Sequence, residues 1–251
     1  MKVSIITAVY NGVHTIEECI KSVVNQTHLN IEYIIIDGGS TDGTLDVIKK
    51  YKDKIAYCIS EPDNGIYDAM NKGIKLASGD VVGILNADDF YADNYVISNV
   101  AKEFEIKKVD SVFAGLVFID RNNPDKIVRY CNASSFKPEK FAYGWMPPHP
   151  TFFVKRKIYE MYGLFKTDYK IASDFELVAR FLSKYKVSYS YIPKVLIKMR
   201  TGGLSTRNIK SNWILNKEIL HACQENGIKT NYLKIYSKYL TKVFQLFNRP
   251  G

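Results

Sequence analysis

The sequence holds no apolar run near the ~18 residues that a membrane-crossing helix needs. Its start, Met1-Lys2-Val3-Ser4, leads straight into a strand-like stretch without the pattern of a secretion signal. A cytoplasmic chain is therefore expected. Cysteine is scarce: Cys19, Cys58, Cys131 and Cys223 stand far apart at irregular spacing, which suits reduced core thiols rather than a disulfide framework or a zinc site. Neither G-x-x-x-x-G-K-[ST] nor a G-x-G-x-x-G after the first strand occurs, so the common glycine-built phosphate cradles are excluded. Internal repeats and low-complexity tracts are missing as well.

The chain has 251 residues, 46% of them hydrophobic, enough for a large core without staples. Lysine and arginine number 35 against 26 acids, a net charge of +9 that favours an anionic partner. The basic residues are dispersed and the predicted strand ends are acidic, so nucleic acid is not the partner expected.

Residues 2–9 read as a buried strand ending at Tyr10-Asn11-Gly12. Thr15 with Glu18 predicts a capping box for a helix through Ile16, Ile20, Val23 and Val24. A strand over residues 31–36 stops at Asp37-Gly38-Gly39-Ser40-Thr41-Asp42-Gly43, which offers caps to a helix through Leu45, Val47 and Ile48. Residues 55–59 predict a third strand, residues 66–77 a helix, and Val81, Val82, Ile84 and Leu85 a fourth strand. This alternation predicts a parallel sheet. Beyond a helix over 96–104, strands are expected over 111–119, 127–130, 151–154, 187–192 and 195–199, with helices from Arg156 and from Ser173. Residues 132–150, rich in proline, glycine and aromatics, predict a long functional loop.

The fourth strand runs into Asn86-Ala87-Asp88-Asp89. Adjacent carboxylates repel unless a cation or hydrogen-bond donors lie between them. Oxygen ligands at a strand end suit Mg²⁺ or Mn²⁺ holding a diphosphate. The same acids would equally cap the turn into the next helix. Asp37, Asp63 and Asp88 follow successive strands, whose ends share one rim in a parallel sheet. On that rim Asp37 would accept from a base or ribose, Tyr10 would stack on a base, and Asp88 would hold the metal.

Four motifs in order, Val3-Ser4-Ile5-Ile6-Thr7-Ala8-Val9-Tyr10-Asn11-Gly12, Ile36-Asp37-Gly38-Gly39-Ser40-Thr41-Asp42-Gly43, Asn86-Ala87-Asp88-Asp89 and Ala172-Ser173-Asp174-Phe175-Glu176, resemble the family 2 glycosyltransferases. Ser60-Glu61-Pro62-Asp63-Asn64-Gly65-Ile66-Tyr67-Asp68-Ala69-Met70-Asn71-Lys72-Gly73 is similar to the bacterial surface-polysaccharide branch, of colanic-acid type. The resemblance implies an α/β GT-A fold: a Rossmann-like, mostly parallel sheet flanked by helices. It spans residues 1–205, a nucleotide-binding half to about residue 110 and an acceptor half from 111, with a helical extension over 206–251.

That resemblance implies an inverting, metal-dependent hexosyl- or N-acetylhexosaminyltransferase. The donor would be a nucleotide-diphosphate sugar, UDP-linked by family frequency, and the acceptor a polyprenyl-diphosphate-linked glycan of capsule, O-antigen or exopolysaccharide synthesis. The alternatives are a polyprenyl-phosphate sugar synthase and a non-catalytic sugar- or cation-binding module. By position, Ala8, Tyr10 and Asn11 lie at the donor base and Asp37 contacts the nucleoside. Asp63, Asn71, Lys72, Asn86, Ala87 and Arg200 complete the donor contacts, and Asp88 ligates Mg²⁺ or Mn²⁺. Asp174 is the base that takes the acceptor proton, or a cap of its own helix. His149 and Trp145, with Tyr143, fall on the acceptor side.

Several positions depart from the family pattern. Gly38 stands where many members carry a second Asp, leaving Asp63 to supply any second carboxylate. Asn86 takes the first place of D-x-D, Ser173 replaces a Glu before the base, and Met70 replaces an Arg, leaving Lys72 as substitute. No His follows Asp174 as far as Gly203, so Arg200 is the expected neutraliser of the diphosphate. Thr201-Gly202-Gly203-Leu204-Ser205 reads as a turn, either closing over the donor or simply leaving the domain. After Asn231, Leu233, Tyr236, Leu240, Val243, Phe244 and Phe247 recur at helical spacing with Lys234, Lys238, Lys242 and Arg249 beside them. This helix is expected either on the anionic inner face of the cytoplasmic membrane or packed on the domain or a second subunit. The sequence assigns no oligomeric state.

Overall fold

A computed structural model describes residues 1–121, 123–202 and 209–245, with side chains for 1–121, 123–202 and 211–239. Strand β1 (Val3–Val9) is buried along its whole length because helices cover both faces of the sheet. Its alternating residues serve two cores. Ile6 and Ala8 join Ile34 and Ile36 on one face, while Val3, Ile5 and Val9 join Tyr33 and Ile35 on the other. The first face is covered by α3 (Ile66–Leu76), α5 (Arg156–Tyr162) and α6 (Ser173–Ala179). The second is covered by α1 (Ile16–Val24), α2 (Thr44–Lys49) and α4 (Val96–Lys107). Close approach is built in at Gly73 of α3, where a Cβ would stand 2.4 Å from Ile6 Cγ2.

Among the described residues the sheet has nine strands, in the order β3-β2-β1-β4-β8-β6-β9-β5, with β7 paired to β6. The parallel part is the N-terminal half, where β1 lies between β2 (Ile31–Asp37) and β4 (Val81–Ile84), and β3 (Tyr57–Ser60) is the edge. In the other half, β8 (Phe153–Lys155) runs antiparallel to β4 and to β6 (Ser111–Ile119). Strand β6 is parallel to β9 (Tyr189–Arg200) and antiparallel to β7 (Ile127–Cys131).

Local expectations are corrected at several points. The Thr15–Glu18 capping box does not form: Thr15 Oγ1 turns to the Gly12 carbonyl, and Glu18 is taken by an ion pair with Arg200. Asp89 is no loop acid but the first residue of β5 (Asp89–Tyr91), paired antiparallel with β9. The two expected last strands are one, whose register shifts around Pro193 and Lys194, where proline has no N–H for the ladder. The 132–150 stretch is tightly built, with 3-10 turns at Pro138–Tyr143 and His149–Thr151 and buried Phe136 and Phe141 packed edge to face at 5.4 Å.

Within the extension, α7 (Ile209–Glu225) and α8 (Tyr232–Gln245) send Ile219, Ala222, Cys223 and Ile235 into the core beside α6 and the Pro138–Tyr143 turn. Lys238 is only 5% exposed, so the expected basic stripe of Lys234, Lys238 and Lys242 does not form one outward face. Residues 203–205 of the exit turn, Phe247 and Arg249 lie outside the described residues, as do the side chains of Leu240, Lys242, Val243 and Phe244.

Candidate active site

Parallel pairing with Val9 opposite Asp37, and Asp37 opposite Ser60, brings the C-terminal ends of β1, β2 and β3 to one edge. A cleft of about 450 Å³ opens there, and its lining includes Ala8, Tyr10, Asn11, Asn86, Ala87, Asp88, His149 and Asp174. Residues from four separate stretches of sequence thus meet in one cavity.

Two loops are laced together at one end of it. Asn11, held at a φ of 49° that asparagine tolerates, accepts from Thr41 N–H at 2.9 Å, and its own N–H donates to Ser40 Oγ at 2.7 Å. Beneath them Asp37 is fully buried. Its Oδ2 accepts from Gly39 N–H, Ser40 N–H and Ser60 Oγ at 3.1, 3.0 and 2.6 Å, while Oδ1 is buried without a hydrogen-bond partner. Asp37 does not itself line the cleft, and a buried acceptor in that state calls for a donor from water, an ion or a ligand. Tyr10 is 66% exposed, its ring bare for stacking. Asp63 accepts from Gly65 N–H at 2.8 Å and sets its other carboxylate oxygen against Gly38.

Past β4, Asp88 is half-buried and lines the cleft, whereas Asp89 beside it is fully buried with neither carboxylate oxygen hydrogen-bonded. Burial, and then the neighbouring Asp88, push the Asp89 carboxyl well above the usual range. That shift favours the neutral acid and so eases the repulsion expected between the two neighbours. Asn86 Oδ1 is also buried without a partner. Asp88 and Asn86 thus offer oxygen donors, which fit a hard cation such as Mg²⁺ or Mn²⁺. Among the described residues no three His, Cys, Asp or Glu side chains are grouped to hold a metal. Such a cation would take further ligands from a diphosphate, as Mg²⁺ commonly does.

Arg200 is not free for a diphosphate. Its Nη1 donates to the Asp88 carbonyl at 2.6 Å, Nη2 pairs with Glu18, and the guanidinium lies 5.0 Å from the Phe90 ring centroid. It braces Asp88 from behind. Lys72 is likewise taken, paired with Glu61 at 2.8 Å and Asp68 at 3.6 Å outside the cleft. Asn71 clamps the Phe165 backbone through both of its amide atoms, at 2.8 and 2.9 Å, and does not line the cleft. The cations that do line it, Arg121 and Lys170, were not singled out from sequence because single basic residues in loops carry no pattern.

Asp174 sits in the first turn of α6 and makes no cap: the N-cap is Ala172, and Asp174 Oδ1 accepts from Phe175 N–H, at 2.7 Å. Burial pushes its carboxyl up to about 6. Tyr67, whose hydroxyl donates to the Ile171 carbonyl, lines the cleft with it. The approach to α6 is gripped by Glu218 of α7, which accepts from the N–H groups of Lys170, Ile171 and Ala172 at 2.8, 2.9 and 2.9 Å. No local sequence signal marks Glu218, which acts across the fold. His149 is buried edge-on to Phe165 at 5.5 Å, and burial lowers its imidazole to about 4. It brings a neutral hydrogen-bonding group, not a charge, to the cleft. Trp145 is not in this cleft and lines a second one.

The arrangement has parallels. A sequence model described as "Glycosyl transferase family 2" matches residues 4–172, from β1 to the residue before α6. A chain of Rickettsia typhi named as an uncharacterized glycosyltransferase is 31% identical over 233 residues, 87% of this chain and 70% of its own. Among solved structures, S. aureus TarS superposes with a TM-score of 0.67 at 18% identity, over 97% of this chain and 72% of that one. The mannosyltransferase PcManGT of Pyrobaculum calidifontis gives 0.68 at 19%, over 98% and 72%. The fold is GT-A, as the motifs imply. With both sequence and architecture in agreement, the chain belongs to glycosyl transferase family 2 and is a glycosyltransferase.

Proposed function

We propose that the protein moves a sugar, with inversion, from a nucleotide-diphosphate donor to a hydroxyl of a lipid-linked glycan acceptor in the making of a bacterial surface polysaccharide. The observation that carries this reading is that Asp88 and Asp174, far apart in sequence, line one cleft with Tyr10 and Ala8. TarS has been seen with UDP and with UDP-GlcNAc, and PcManGT with GDP-Man and Mn²⁺, which supports this donor class.

In this reading Tyr10 stacks on the base, Asp37 Oδ1 accepts from it, and Asp63 reaches the nucleoside. Asp88 would hold Mg²⁺ or Mn²⁺ together with the donor diphosphate, and that cation, when bound, neutralises the departing group. Arg121 and Lys170 add positive charge to the same cleft. Asp174 takes the proton of the acceptor hydroxyl as its oxygen bonds to the anomeric carbon. The bond from that carbon to the diphosphate breaks, and its electron pair leaves with the phosphate oxygen. A carboxyl held at about 6 is matched to base work near neutral pH.

The outer faces of α7 and α8 supply the approach to a lipid-linked acceptor. Leu233 is 85% exposed, with Tyr232, Tyr236 and Trp213 also exposed and Lys234 beside them. Interfacial aromatics with a lysine, worth ~1 kcal/mol near anionic lipid, suit a peripheral helix pair. No helix among the described residues is long and apolar enough to cross a membrane. Titrating the protein against a panel of nucleotide sugars, UDP-linked first, with nucleoside diphosphate release as readout, tests the reading. Release from none of them, by protein that is folded, would overturn it.

A further inference from the structure

Tyr67 and Asn71 stand one helical turn apart on α3, so they share a face of that helix. Both reach the same neighbouring stretch of chain. Asn71 holds the Phe165 backbone by its two amide atoms, at 2.8 and 2.9 Å, and the Tyr67 ring stacks on the Phe165 ring at 5.7 Å with 19° between the planes. Further along the chain the Tyr67 hydroxyl donates to the Ile171 carbonyl. Glu218 of α7 accepts from the Ile171 N–H at 2.9 Å, so this residue is held by both of its backbone groups, one from each helix. The stretch 165–172 ends at Ala172, the N-cap of α6, whose first turn carries Asp174.

A base must stay within hydrogen-bond reach of the hydroxyl it serves, and a displacement of about 1 Å is enough to slow such a step severely. We propose that Tyr67 is a positioning residue for Asp174: from α3 it fixes the approach to α6, with Asn71 as the second anchor. The proposal rests on the reading of Asp174 as the base. It gives residues 60–73 a task at both ends of the cleft, because Asp63 packs against Gly38 and Tyr10 while Tyr67 and Asn71 hold the approach to α6. The two grips also act oppositely on the base. Burial raises the Asp174 carboxyl and the charge of Glu218 adds to that rise, whereas the Tyr67 hydroxyl draws it down.

Tyr67→Phe keeps the stacked ring and removes the hydroxyl alone. In nucleoside diphosphate release from the best donor, kcat should fall by about 10-fold, with UDP affinity by calorimetry and circular dichroism unchanged. The acidic limb of the pH–rate profile should move up by roughly half a pH unit, opposite to its movement in Glu218→Gln. The other titratable groups near Asp174, namely Glu218 and the cleft-lining His14, Asp88, Arg121, His149 and Lys170, are untouched by this substitution, so the movement reports on the hydroxyl. Amide hydrogen exchange read by mass spectrometry, which needs no turnover, should quicken over residues 165–172. Wild-type kcat, wild-type exchange over that stretch, or a lowered rate with an unmoved limb would each overturn the proposal. Wild-type turnover in Asp174→Asn, run alongside, would overturn the base assignment on which it rests, and quickened exchange in Tyr67→Phe would tell that failure from the loss of the grip itself.

Discussion

Asp63 Oδ2 lies 2.5 Å from the point a Cβ on Gly38 would occupy, and the Tyr10 ring comes within 3.4 Å of the same point. The volume that a second aspartate would use after Asp37 is filled by a carboxylate from the next strand's loop. Gly38 is therefore a packing requirement of Asp63.

The first prediction follows from that substitution of one acid by another. Gly38→Asp should expel Asp63 and weaken UDP binding by about tenfold, near 1.4 kcal/mol. Adding Asp63→Gly to it should recover most of the loss. Calorimetry on the three proteins decides; wild-type affinity in Gly38→Asp alone would show that the two side chains do not compete.

A second prediction concerns the brace behind Asp88. Arg200→Lys cannot serve the Asp88 carbonyl and Glu18 together, because lysine lacks the planar fork. Turnover should fall by roughly 10- to 100-fold, with a lowered Tm, since the residue is buried and an unpaired Glu18 remains. Were Arg200 instead a diphosphate contact, donor KM would rise and the melting temperature would hold.

For Asp174 the kinetic and stability effects have opposite signs. Asp174→Asn should leave donor affinity intact and lower kcat by at least ~10²-fold. The wild-type rate should fall as pH drops through about 6, where the carboxylate takes up its proton. The folded-state pKa is raised above the ordinary 3.8, so the stability contribution is full below that value and is lost as pH rises through about 6. Asparagine escapes the loss. Above pH 6 the variant should be the more stable by on the order of 2 kcal/mol, and below pH ~4 the two should melt together. A variant no more stable at pH 8 than wild type would show that Asp174 pays no burial cost.

Glu218 gives a fourth test, since it holds the backbone before the base and its charge also raises the Asp174 pKa. Glu218→Gln should lower kcat while moving the acidic limb of the pH–rate profile to lower pH. A merely structural residue would lower the rate without moving that limb.

The alternating β-α grammar made the parallel half of the sheet legible, because buried parallel strands read as β-branched runs ending in turn residues. Asp88, Tyr10 and Asp174 were legible because they sit in contiguous motifs, and the cleft does gather them. What escaped was set by contacts across the chain. The role of Arg200 depends on Glu18, brought beside it only when β9 pairs with β5 next to α1. Asn71 and Lys72 stand in a donor-like motif, yet helical phase turns Asn71 inward to Phe165 and leaves Lys72 between two acids. The α8 helix read as amphipathic, but only packing decides that Lys238 faces in and Leu233 out.

The central claim is that Asp88 serves a metal-dependent departure of a nucleoside diphosphate. The direct measurement is nucleoside diphosphate release from the best donor of the panel, with Mg²⁺ or Mn²⁺ titrated into chelated protein, for wild type, Asp88→Asn and Asn86→Asp. Activity should appear with the cation in wild type, stay absent at every concentration in Asp88→Asn, and survive in Asn86→Asp. Full activity in chelator, or a wild-type rate in Asp88→Asn, would contradict the account.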